Sequence, residues 1–275
     1  MSNQAFFTEP GTLAAAAPGD LLSLEGPEGH HAVSVKRVRA GEHIDLLDGS
    51  GRRAVCTVDS TTKAALVARV DGLLDEPRHG VRVTLVQALA KGDRDLQAVE
   101  SAVELGVDAI RPWAAERCVV KWAPERAAKA RAKWSSTIRA AVKQSRRTVE
   151  PELFELAGTA ALAQEIAAGA AREVPSLTLI LHEASDAPLA AVLGSWLADH
   201  PALAGGAAAA VPLGRVELLV GPEGGISDAE IGKLTAAGAR VAQVGTHVLR
   251  SSTAGPAALV LVRHLLNQLE APASA

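Results

Sequence analysis

Hydrophobic positions fall into two regimes along the chain. Up to about residue 70 they come as short runs rich in Val and Leu: DLLSL (20–24), VSVKRV (33–38), HIDLL (43–47), RAVCTV (53–58) and AALVARV (64–70). Turn residues separate them at Gly26-Pro27, Gly41 and Asp48-Gly49-Ser50-Gly51, the last reading as a hairpin loop. The spacing predicts a small β-rich domain over residues 1–75, closed as a barrel. DEPRHG (75–80) reads as the linker to a second domain over residues 76–275.

Beyond residue 80 the period changes. VRVTLVQAL (81–89) is nearly continuous apolar sequence, as a parallel strand covered on both faces requires. Leu96, Val99 and Val103 then recur at helical spacing, predicting a helix over 94–105 with Gly106 as its C-terminal cap. VDAIRPW (107–113), LTLILH (177–182), VELLV (216–220) and RVAQVG (240–245) are further strands with helical stretches between them. The pattern is α/β with a mainly parallel sheet. Residues 199–215 read as a flexible surface loop without chemistry. The last helix is expected to carry Pro256 in its first turn. Leu259, Val262, Leu266 and Leu269 would form its apolar face, and Arg263, His264, Asn267 and Gln268 its polar one.

Composition narrows the classes. At 48% apolar and 21% charged, the chain is an ordinary globular protein rather than a disordered or fibrous one. Two cysteines, Cys56 and Cys118, exclude a disulfide framework and a multi-cysteine metal site. No apolar run approaches the ~18 residues of a membrane span, and MSNQAFFTEPG has no signal-peptide pattern, so a cytoplasmic location is expected. His30 and His31 lack partners at ligand spacing, and no metal is expected. They read equally as structural residues or as contacts to a partner.

Charge distribution changes the picture. Between Arg117 and Arg147 the chain carries ten basic residues opposed only by Glu125, although the net charge is −3. A basic island on an acidic protein is the footprint of a polyanion partner, or else a solvated helix face. Trp113, Trp122 and Trp134 lie in or near this segment and read as core.

Three segments carry chemistry, each where a strand is expected to end. In VELLVGPEGGISDAEI (216–231) a strand runs into Gly221-Pro222-Glu223-Gly224-Gly225, and Ser227 with Glu230 forms a capping box. Such a turn lets a ligand approach the main chain closely, though a tight structural turn reads the same way. Next, RVAQVG leads through Thr246–Leu249 into Arg250-Ser251-Ser252-Thr253 and the last helix. Finally, Lys91-Gly92-Asp93-Arg94 follows the first parallel strand. Together these loops predict a pocket at one edge of the sheet. There is no Walker loop and no GxGxxG, which argues against a nucleotide-binding metabolic enzyme.

Over nearly its whole length the chain resembles the RsmE-type 16S rRNA uridine-N3 methyltransferases of the SPOUT superfamily. The resemblance rests on KGDR…ELGV, AVKQSRR (141–147), GPEGG with its S-x-x-E helix start, and G-x-x-V-L-R before the last helix, in that order. HHAVSVKRVRAGEHIDLLDGSG (30–51) matches the N-terminal pattern. It implies a PUA-like RNA-binding barrel, a methyltransferase domain with a C-terminal trefoil knot, a homodimer, and S-adenosylmethionine as cofactor. Gly221, Glu223, Gly224, Val244, Gly245, Val248 and Leu249 match the cofactor positions, with Pro222 and Ser252 among them; Leu181, His182 and Glu183 end another sheet strand and would line the same pocket, although His182 reads more readily as a satisfied strand-end histidine. The family commonly reads Leu-Arg-Thr-Glu-Thr-Ala where this chain has Leu249-Arg250-Ser251-Ser252-Thr253-Ala254, so a hydroxyl stands where a carboxylate is usual.

The resemblance also sets the chemistry to be explained. Methylating uracil N3 requires loss of its proton, and negative charge develops on the ring carbonyls. A fixed cation stabilises that charge. Arg250 is the first candidate and Arg94 the second; the alternative for Arg250 is a structural bond to the surrounding backbone. The substrate, 16S rRNA or the small ribosomal subunit, would meet Lys36, Arg37, Arg39, Lys91, Arg139, Lys143, Arg146 and Arg147 through its phosphates. The competing readings are a ribose 2′-O methyltransferase and a non-catalytic RNA-binding assembly factor.

Overall fold

The computed structural model describes residues 3–169, 173–206, 208–209 and 211–269. The chain forms two compact units, one running to Pro77 and taking in Val142–Glu150, the other comprising Arg78–Ala141 and Pro151 onward.

The first unit is a curled five-stranded sheet. Its strands are β1 (Gln4–Phe7), β2 (Leu21–Leu24), β3 (His43–Leu47), β4 (Arg52–Thr61) and β5 (Leu66–Asp75), in the order β1-β3-β4-β5-β2. Alternation turns Ala54, Cys56 and Val58 of β4 and Leu66, Ala68 and Val70 of β5 inward, where they meet Phe6, Leu13, Leu24, Ile44 and Leu46. Register shifts after Val55 and Val58 bend the β4–β5 ribbon. The segment 33–38 is not the expected strand. Gly26–His30 form a short helix, α1, continued by a π-helical turn at His31–Val35. Pro27 at the helix start favours this turn, and Ala32 and Val38 supply its buried contacts while Val35 faces solvent. β-branched residues suggested a strand, and packing overrode them. His31 lies edge-on to Phe6. Residues 142–150 join this unit through local chemistry. Thr148 Oγ1 donates to Glu76 Oε2 at 2.5 Å, Glu150 N–H donates to Gly49 O, and Lys143 Nζ meets Glu28 Oε1 at 2.6 Å.

The second unit is a seven-stranded parallel sheet with helices. In chain order it runs β6 (Val81–Ala88), α2 (Arg94–Glu104), β7 (Ala109–Ala114), α3 (Pro124–Ser145), β8 (Glu152–Leu153), β9 (Ala157–Gly158), α4 (Thr159–Gly169) and β10 (Ser176–Leu181). Then follow α5 (Leu189–Asp199), β11 (Gly214–Val220), α6 (Asp228–Ala236), β12 (Arg240–Ala242) and α7 (Ser251–Leu265). The order is β12-β10-β11-β6-β7-β8, with β9 also on β7. The last residues of α3, from Val142, belong to the first unit. Trp134, Ile138, Ala141 and Val142 give α3 a buried stripe.

Several expectations are corrected. β12 stops at Ala242, so the strand expected over 240–245 is half as long. α7 begins at Ser251, which puts Pro256 well inside it rather than in its first turn. Arg263 is not on a polar face; it is 1% exposed. Its guanidinium donates to Asp108 Oδ2 at 2.6 Å, to the carbonyls of Val81 and Gly106, and to Gln268. Within 199–215, Leu203 is buried in a single 3₁₀ turn and Gly214 starts β11, while positions 207 and 210 lie outside the described residues. Trp113 and Trp134 are core, and Trp122 packs edge-on against Trp134. Among the described residues no helix is long and apolar enough to cross a membrane, and no cluster of His, Cys, Asp or Glu is placed to hold a metal ion.

Candidate active site

Parallel strands all point their C-terminal ends to one edge, and the loops leaving that edge build a cavity. β10 ends at Leu181 and β11 at Val220, hydrogen-bonded neighbours in the sheet. The cavity has a volume of about 290 Å³. Leu181, Val220, Ile226, Val248 and Leu249 supply apolar wall; Arg94, His182, Glu183, Glu223, Arg250 and Ser251 supply polar groups. A smaller recess of about 50 Å³ shares Leu181, His182, Glu183, Leu249 and Ala254 and adds Gln243, Val244 and His247.

Local sequence explains each wall. After Val220 the chain turns through Gly221, where a Cβ would lie 2.6 Å from Ile226 Cγ1, so the loop closes on itself only without a side chain there. Ser227 caps α6 with Glu230 as its box partner, as the sequence predicts. Glu223 ties two loops together, accepting from Lys91 N–H at 3.1 Å and from Arg94 Nη1 at 3.3 Å. Arg250 is the N-cap residue of α7, with extended backbone, so the first turn of that helix faces the cavity through Ser251 and Ala254. The Ser251 hydroxyl is buried with no hydrogen-bond partner among the described residues. His182 Nδ1 accepts from Ala184 N–H at 3.2 Å, which leaves the proton of the neutral ring on Nε2.

Beneath the Lys91–Arg94 turn, Asp95 is buried and accepts from the Ala90 and Leu96 amides. Burial raises its pKa above the ordinary carboxylate value, and those amides offset part of the rise.

The cavity brings together Arg250, Arg94, Leu181, Gly221, Pro222, Glu223, Val248 and Leu249, with Val244 in the adjoining recess. Gly224, Gly245 and Ser252 line neither. Ser252 is buried in α7, and its neighbour Ser251 takes the place at the wall. Gly224 instead packs against Arg117. Sequence reasoning omitted Ile226, Ser251 and Ala254. The capping box could have flagged Ile226, because an apolar residue just before an N-cap is commonly packed inward rather than exposed.

The basic residues are scattered by structure. Lys36, Arg37 and Arg39 are exposed after the π-helical turn of the first unit, where Arg146 is also exposed and Arg147 half-buried. Lys143 is engaged by Glu28 and lies 5.6 Å from the Phe7 ring centroid. In the second unit Lys91 and Arg139 are exposed, while Lys133 pairs with Asp93 and Arg131 with Glu155.

The chain is similar to known proteins in sequence and fold. The family model for the RNA methyltransferase domain matches residues 77–263, and that for the RNA methyltransferase PUA domain matches 24–71. Ribosomal RNA small subunit methyltransferase E of Mycobacterium tuberculosis is 38% identical over 260 residues, 93% of this chain and 91% of that protein. Its Bacillus subtilis namesake is 27% identical over 85% of this chain and 86% of its own length. The Neisseria gonorrhoeae enzyme of the same name, solved bound to S-adenosyl methionine, matches with a TM-score of 0.77 at 26% identity, covering 96% of this chain and 98% of its own. A Legionella pneumophila protein solved with the cofactor SAM bound matches with a TM-score of 0.77 at 29% identity and the same coverage. With both domains matched and the relatives aligned almost end to end, the chain belongs to the ribosomal RNA small subunit methyltransferase E family of RNA methyltransferases.

Proposed function

We propose that this chain methylates N3 of a uridine in 16S ribosomal RNA, using S-adenosylmethionine bound in the cavity at the ends of β10 and β11. The carrying observation is that one cavity joins apolar walls, an orphaned buried hydroxyl and the guanidinium-bearing residues Arg94 and Arg250. These residues fit the cofactor. Leu181, Val220, Ile226 and Leu249 suit the faces of an adenine ring, and the buried Ser251 Oγ needs a polar partner. When bound, the cofactor would supply a methyl group on a sulfonium centre, for in-line transfer to N3 with the neutral thioether as leaving group.

The protein's part is position and charge. As uracil N3 gives its proton to water, negative charge grows on the flanking carbonyls. Arg250, held at a helix start, stabilises it in a site partly closed to water. Arg94 is oriented by Glu223, and the His182 Nε2–H adds a donor in the same cavity. Exposed Lys36, Arg37, Arg39, Lys91, Arg139 and Arg146, together with Arg147 and Lys143, contact RNA phosphates, and the target base leaves its stack to reach the cavity. The trefoil knot, the homodimer, the 75/76 domain boundary and the cytoplasmic location implied by sequence and resemblance belong to the same reading.

Titration of the purified protein with S-adenosylmethionine, followed by labelled methyl transfer to small ribosomal subunits, tests it. Saturable binding with transfer supports the assignment. Absence of binding refutes the cofactor site.

A further inference from the structure

The loop 221–226 is held by a second segment as well as by its own ends. Residues 115–118, a strap that follows β7 on the way to the basic helix α3, hydrogen-bond the loop and its capping residues, and none of them lines the cavity or the recess. Glu116 N–H donates to Glu230 Oε1 at 2.9 Å, and the Glu116 carboxylate accepts a short hydrogen bond from Ser227 Oγ. Arg117 Nη1 donates to Gly224 O at 3.1 Å. Glu230, 6% exposed, also accepts from Thr159 Oγ1, which in turn accepts from Trp113 Nε1. A Cβ at Gly224 would lie 3.2 Å from Arg117 Cβ. The strap and the loop therefore approach closely where Gly224 meets Arg117, and are not joined only through the end of one long side chain.

We infer that Arg117, braced by Glu116, is a positioning residue for the cofactor loop and not an RNA contact. The loop carries glycines at 221, 224 and 225, so ordering it is costly in conformational entropy. A charge-assisted hydrogen bond to its central carbonyl fixes the shape in which Gly221, Pro222, Glu223 and Gly225 line the cavity. Binding then spends less on ordering. Charge alone grouped Arg117 with the polyanion-binding segment; the side chain is exposed, but its Nη1 is tied to the Gly224 carbonyl of the loop. The inference rests on the proposal that this cavity binds S-adenosylmethionine.

The test measures two affinities on the full chain: S-adenosylmethionine by calorimetry, and in vitro transcribed 16S rRNA across a salt series. Arg117→Ala is expected to weaken cofactor binding about tenfold, and Arg117→Lys to recover part of the loss. RNA affinity and the slope of log K against log salt stay at wild-type values. Unchanged cofactor affinity in Arg117→Ala overturns the inference. So does a salt slope reduced by about one with cofactor binding intact, which is the mark of a lost phosphate contact. A second arm uses Gly224→Ala. It weakens cofactor binding severalfold in the Arg117 chain and has little effect in Arg117→Gly, where the opposing Cβ is gone. Equal effects in both backgrounds contradict the packing argument. Wild-type protein that fails to bind the cofactor refutes the cavity assignment, and the positioning role with it; failure of the variants alone refutes only the strap.

Discussion

Arg250 sits where a strand-to-helix turn, a cation and the cavity coincide. Its proposed role is to stabilise charge that exists only as the base is deprotonated, so its removal falls on turnover and not on cofactor binding. Arg250→Ala is expected to lower kcat for methyl transfer about a hundredfold, the scale of one lost transition-state donor. Cofactor Kd stays within about threefold, since a group acting only in the transition state adds little to ground-state binding. Normal turnover in the variant would make Arg250 structural. Cys56 illustrates the opposite kind of residue. Burial in the first unit pushes its thiol up to about 12, with Asp71 and Asp45 adding to the rise. Its unfolded-state value is about 8.5. Between those values the unfolded chain has lost the proton and the native chain keeps it, so folding stability falls as pH rises through that window. Denaturant titrations from pH 8 to 11 should show a decline that Cys56→Ala reduces; an identical slope in both proteins contradicts the assignment.

The elements that the sequence made legible are those specified locally. The capping box at Ser227 and Glu230 and the glycine after α2 each lie within a few residues of the feature they define, and both form as predicted. What escaped depends on distant partners. Arg263 carries a charge, so helical spacing assigned it to a solvent face; its partner Asp108 is 155 residues away, and no local pattern shows that pair. The network anchors the C-terminal part of α7 to Val81 and Gly106, while the N-terminal turn of the same helix faces the cavity. Arg263→Ala leaves Asp108 without its closest cation in a site that is 12% exposed, and is expected to cost roughly 3–5 kcal/mol, read by chemical denaturation. A loss below about 1 kcal/mol, the scale of an exposed pair, would show that the network is not an anchor. The segment 33–38 escaped for a related reason: Val33 and Val35 favour a strand in isolation, but Gly26-Pro27 starts a helix and Ala32 anchors its π-helical continuation.

In the whole molecule, chemistry and charge are divided between scales of order. The cavity is built by loops at one sheet edge, and the sequence located most of it because strand-to-helix turns carry glycine and capping signals. It missed which residue of a turn faces inward, as Ser251 against Ser252 shows; that depends on where α7 begins to wind. The basic segment was legible as charge but not as geometry. Arg131, Lys133 and Lys143 pair with Glu155, Asp93 and Glu28, so part of the segment's charge is met within the protein. RNA affinity should fall steeply with salt, and charge reversal at Arg146 and Arg147 should weaken binding and flatten the slope by about two. A salt-independent affinity would remove this segment from the interface. The central claim is the reaction itself. Its most direct test is labelled methyl transfer from S-adenosylmethionine to small ribosomal subunits lacking the modification, with the product nucleoside identified by mass spectrometry. The expected product is 3-methyluridine. A ribose-methylated nucleoside, or no transfer by protein that binds both cofactor and subunit, would contradict it.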